Sequence, residues 1–153
     1  MKSIITAVLL TAAVASPALA QGQVPFRGTY EASEYTSGGA FPVFVQSLSG
    51  TGHATHLGRF TVTAEFHVNV QTYPVEGVGS FTLTAANGDS LFGTTTGLAT
   101  VVEGIAYIEE TNTITGGTGR FVDATGTFVE GRVLVDATGV STSSFNGAID
   151  LHH

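Results

Sequence analysis

The stretch RFTVTAEFHVNV, residues 59–70, puts Phe60, Val62, Ala64, Phe66, Val68 and Val70 on one face of an extended chain. Thr61, Thr63, Glu65, His67 and Asn69 fall on the other. A period of two marks a strand with one buried face. The same alternation returns at 25–33, 41–50, 79–86, 89–102, 105–115, 126–136 and 143–151, and helical periodicity is hard to find beyond residue 20. These eight candidate strands predict an all-β chain.

Asn87-Gly88 lies between two of the candidates. That dipeptide tolerates the positive φ angles of a two-residue type I′ turn, which predicts an antiparallel hairpin there. The chain also holds 20 glycines, several inside the strand runs. In a flat sheet they would cost entropy and packing, whereas in a closing sheet they let strands coil and bend. With no helix to cover a sheet face, an eight-stranded antiparallel up-and-down β-barrel fits better than an open sheet. A two-sheet sandwich is the competing arrangement.

The first twenty residues read as an export signal: Lys2, then the apolar IITAVLLTAAVA, then the small-residue site SPALA ending at Ala20. The apolar run is shorter than the roughly 20 residues needed to span a bilayer. The expectation is a secreted or periplasmic protein with no membrane span, residues 21–153 forming one barrel domain. The formal net charge is −7, with twelve acidic and five basic residues, which argues against nucleic acid as a partner. There is no cysteine, so thiol nucleophiles, thiolate metal sites and disulfides are excluded and stability must come from burial and hydrogen bonds.

ITGGTGRFVDATGTF, residues 114–128, surrounds Arg120 with glycines and small residues before alternation resumes. The segment suits a tight reversal, with Phe121 placed to plug a barrel end and Ala124 and Gly126 permitting close strand approach. It resembles the signature of the allene oxide cyclase and dirigent superfamily: Ile-Thr-Gly-Gly-[Ser/Thr]-Gly, an aromatic residue, then Ala-x-Gly. The resemblance implies an allene oxide cyclase-like barrel of eight antiparallel strands, commonly trimeric. It also implies a candidate catalytic carboxylate. Allene oxide cyclases carry a first-strand glutamate in a Tyr-Glu-x-Asn pattern. Here YEAS places Glu31 at the glutamate, Ser33 replaces the asparagine, and the plant enzymes' pocket cysteine has no counterpart.

Read from the residues, Glu109 and Glu110 point to opposite faces of one strand, so one faces inward and Arg132 is placed to neutralise it. Phe60, Phe66, Phe81, Phe92 and Phe128 either line a ligand site or fill the core, depending on which rows face inward. His53, His56 and His67 lack a metal-ligand motif such as His-Glu-x-x-His; no metal or cofactor is assigned, and His56 with Arg59 is expected to tie a loop to the barrel. No Gly-x-Ser-x-Gly elbow and no phosphate loop is present. The residues favour a barrel that binds a small apolar molecule, or a structural domain, over an enzyme. The alternative, from the resemblance, is an isomerase or cyclase acting on a lipid-like or polyketide-like substrate inside the barrel.

Overall fold

The computed structural model describes residues 22–152; the expected leader, 1–20, lies outside the described residues. Eight strands run in order: β1 (Gln23–Ala40), β2 (Val43–Ala54), β3 (Gly58–Asn69), β4 (Val75–Ala85), β5 (Ser90–Val102), β6 (Ile105–Gly117), β7 (Thr125–Val135) and β8 (Val140–Asp150). Each is antiparallel to its neighbours, and β1 pairs with both β2 and β8, so the sheet closes as an up-and-down barrel. The expected fold class is the one observed. Closure satisfies every edge within the chain and leaves no exposed ladder.

Register sends one parity of each strand inward. The β3 row Phe60, Val62, Ala64, Phe66 and Val68 faces the interior, as its alternation predicts. The Asn87-Gly88 turn differs in detail from expectation. Only Gly88 has positive φ, +91°, its N–H donates to the Ala85 carbonyl at 2.9 Å, and the Ala85 N–H donates to Asp89 O at 2.8 Å. This is a three-residue loop with a left-handed glycine at its third position. The antiparallel pairing of β4 and β5 stands.

The two ends of the barrel differ. At one end Phe26, Phe60, Phe81, Phe128 and Phe145 pack edge-on or tilted, with neighbouring centroids 4.9 to 6.4 Å apart. Each buried ring contributes on the order of 1.5–3 kcal/mol through burial. Phe121, 1% exposed, caps this stack.

The glycine-rich segment makes that cap. β6 ends at Gly117, a short 3-10 turn spans Gly119–Phe121, and β7 begins at Thr125. The Arg120 amide donates to Asp89 Oδ2 at 3.3 Å, Nη2 donates to the His56 carbonyl at 3.0 Å, and the guanidinium lies 4.7 Å over the Phe121 ring. The corner thus binds together the three turns of the closed end. Arg120, rather than Arg59, ties down the 55–57 turn, and it does so through the backbone of His56.

Gly119 has φ +57°, and a Cβ there would strike the Asp89 carboxylate; a Cβ on Gly117 would meet the backbone oxygens of Ser90 and Phe121. Gly117→Val and Gly119→Val are each expected to lower stability by about 1–3 kcal/mol. Denaturant midpoints check this, and unchanged values for both would show that the corner is not a constraint on the fold.

Candidate functional site

Halfway along the barrel the inward rows change from aromatic to charged. On β7, Phe128 is followed inward by Glu130, Arg132 and Leu134; on β6, Ile114 by Asn112 and Glu110; on β1, Phe26 by Tyr30, Ala32 and Glu34. Alternation brings all of these into one layer. Glu34, Glu110, Glu130 and Arg132 are each no more than 7% exposed.

Arg132 organises the layer. Nη2 donates to Glu110 Oε1 at 2.7 Å and Nε to Glu110 Oε2 at 3.2 Å, a bidentate pair, while Nη1 donates to Glu34 Oε1. The guanidinium lies 4.7 Å over the Phe66 ring. Glu130 stands nearer the closed end, where its Oε1 accepts from the Tyr30 hydroxyl and from Ser143 Oγ at 2.7 Å. Its Oε1 is 3.8 Å from Arg132 Nε. Three carboxylates therefore share one guanidinium.

This imbalance shapes the titration of the layer. Burial raises the Glu110 pKa, Arg132 pulls it down, and Glu130 and Glu34 push it up again, leaving it at about 7. The Tyr30 hydroxyl is pushed upward by burial and by the Glu130 charge, so it stays a donor. For Arg132, burial alone would lower the pKa, but Glu110 and Glu34 outweigh it and the guanidinium stays charged.

Beyond this layer the barrel opens. A cavity of about 260 Å³ has Glu34, Glu110 and Arg132 at its floor and Phe44, Phe66, Val68, Val75, Ala106, Ile108 and Leu134 in its walls. Gly77 and Gly97 face each other across β4 and β5 in the wall. A Cβ on Gly97 would meet Glu110 Cγ at 2.6 Å, so the glycine gives that carboxylate its place. A Cβ on Gly77 would meet only Val68 Cγ2, at 4.0 Å. A broader depression on the outer wall, over Val78, Leu98, Thr111 and Val129, is a solvent-facing saddle whose lining also includes the exposed Glu76 and Glu109.

The residues singled out from the sequence divide between these regions. Glu31, the candidate catalytic carboxylate implied by the resemblance, stands exposed on the outer face of β1, and the inward parity of β1 carries Glu34 instead. Phe92, 40% exposed, lies outside the barrel with its ring against Gly116, because its parity on β5 is outward. Phe60, Phe81 and Phe128 fill the closed half, and only Phe66 of the five reaches the cavity. Glu110 faces inward and Glu109 outward, and Arg132 neutralises the inward one. His53, His56 and His67 are exposed and separate, and no metal-holding group of three occurs among the described residues.

Sequence reasoning missed Glu34, Glu130 and Tyr30. The signal was present: each shares strand parity with a core phenylalanine, and a charged residue on an apolar row must find partners inside. What the fold and the site define together is a closed barrel, plugged at one end and carrying a charge-floored cavity at the other. No protein-family model matches the chain, and a search of curated proteins finds no match.

Removing Arg132 would strand Glu34 and Glu110 without their donor. Arg132→Met is expected to destabilise by about 3–5 kcal/mol, and replacing Glu34, Glu110 and Arg132 together by apolar residues to recover most of the loss. Urea unfolding of the single and triple variants checks both. The pH dependence has a definite sign. Glu110 titrates near 4.5 when unexposed to these neighbours and at about 7 in the fold. Stability from its proton is full below about 4.5 and is lost as pH rises through about 7, on the order of 3 kcal/mol. Unfolding midpoints measured between pH 5 and 8 should fall in the native chain and stay nearly level in Glu110→Gln. Glu31→Gln, on the outer wall, should shift stability by no more than about 0.5 kcal/mol.

Proposed function

We propose that this protein is a binding barrel that holds one small amphipathic molecule in its open half. The observation that carries the reading is the asymmetric interior: one half filled by phenylalanines, the other an apolar-walled cavity over a hydrogen-bonding floor. Sites of this kind take the apolar body of a ligand in their walls and fix its orientation with a few polar groups. The volume, just below the roughly 300–1,000 Å³ of drug-sized sites, suits a small ligand. With residues 1–20 read as an export leader, the proposed site of binding is outside the cytoplasm.

A second reading follows from one observation, the carboxyl of Glu110 with a pKa of about 7 at an apolar cavity. Such a group suits general acid–base work, and the resemblance of residues 114–128 to allene oxide cyclases and dirigent proteins points to an intramolecular isomerase or cyclase. Glu31 cannot serve it from the outer wall, so Glu110 would be the acid–base residue. Both Glu110 oxygens are occupied by Arg132, which favours binding over turnover.

The neutral fluorophore N-phenyl-1-naphthylamine tests the binding reading. Its emission should rise saturably at one site per barrel and the rise should be lost in Gly77→Leu, whose side chain enters the cavity where only Val68 stands near. A native fold of that variant by circular dichroism completes the check. Absent saturation in the native chain, or equal saturation in the variant, would sink the proposal.

A further inference from the structure

We infer that the cavity selects a ligand with a cationic head, an organic ammonium seated against Glu34 and Glu110 with its apolar body toward the mouth. The inference rests on the cavity being a binding site and adds the charge class of what enters it.

The first support is the charge count at the floor. Glu34, Glu110 and Glu130 surround a single Arg132, whose Nε, Nη1 and Nη2 are all already directed at carboxylates. With every group ionised the layer carries two negative charges more than positive, in a place shielded from water. An anionic head would add to that excess and would have to displace a carboxylate from Arg132. A neutral head leaves it unchanged. An ammonium, with three donors and a positive charge, offsets it.

The second support lies outside the cavity. Arg27, Arg59 and Arg120 all stand at the closed end, beside the 55–57, 86–89 and 118–124 turns. The four turns of the open end, 41–42, 70–74, 103–104 and 136–139, carry Glu103 and Asp136 and no lysine or arginine. Asp89, Asp123 and Asp150 at the closed end balance its three arginines, whereas Glu103 and Asp136 at the open end have no basic neighbour in those turns, so the mouth is the more negative end of the barrel. A field of that sign steers cations toward the entrance and turns anions away.

In the empty barrel a proton does part of this compensation. The groups that face Glu110 are Arg132 and Glu130 from β7 and Glu34 and Tyr30 from β1; burial raises its pKa, Arg132 lowers it, and Glu130 and Glu34 raise it again, to about 7. A bound ammonium takes the place of that proton.

Titration calorimetry of the native chain at pH 8 and low salt, with n-octylammonium, n-octanol and n-octanoate, separates the outcomes. Octylammonium should bind roughly tenfold tighter than octanol, the discrimination that one partly desolvated charge pair supplies, with octanoate weakest. Glu34→Gln should narrow the gap between octylammonium and octanol, and an unchanged gap in a folded variant would count against the inference. Octanoate binding as tightly as octylammonium, or tighter, overturns the inference while the fluorophore result leaves the cavity as a binding site. No binding of any of the three, together with no fluorophore saturation, overturns both readings. Because the comparison of the three probes uses the native chain, it stands even if the variant fails to fold.

Discussion

The pairing of β1 with β8 is the constraint on which the rest of this molecule depends. Once the first strand has partners on both sides, from Gln23–Asp150 at one end to Ser33–Val140 toward the other, the sheet encloses a volume of fixed diameter. Eight strands leave an interior that side chains can fill. Every inward residue must then be accommodated by the residues opposite it. Phenylalanines meet this demand in the closed half by edge-on packing, and Arg132 meets it in the middle by taking two carboxylates at once.

The charged layer divides the two halves physically. Phe66 belongs to both, since it is part of the apolar cluster while its ring lies under the Arg132 guanidinium. Below it, Tyr30, Ser143 and Asn112 each donate to Glu130, which turns that carboxylate toward partners of its own layer. Above it, Glu34 and Glu110 border open space. A buried ion cluster of this kind contributes little net stability relative to apolar packing. Its presence midway along an otherwise apolar interior is what sets the proposed site apart from the core.

Glycine supports both halves through different properties. At Gly119 the chain needs a positive φ to lay Phe121 over the barrel end. At Gly97 the backbone is an ordinary strand, and the missing side chain is what matters, because Glu110 occupies its space. The 20 glycines that argue for a coiled sheet at the level of composition thus serve as corner in one place and as cavity wall in another.

The sequence by itself determined the strands, their antiparallel order and the inward parity of the best alternating ones, because a period of two fixes which side chains share a face without reference to any other strand. It also fixed that either Glu109 or Glu110 turns inward. The tertiary structure alone decided which: the register of β6 against β5 and β7 buries Glu110 and exposes Glu109. It likewise turned Glu31 to solvent and Glu34 to the interior, and Phe92 to the outside. Local alternation cannot make these choices, because it is symmetric between the two faces of a strand. Only closure, which joins β1 to β8 and gives the sheet an inside, breaks that symmetry and brings Glu34, Glu110 and Arg132 within bonding distance across up to 98 residues of chain.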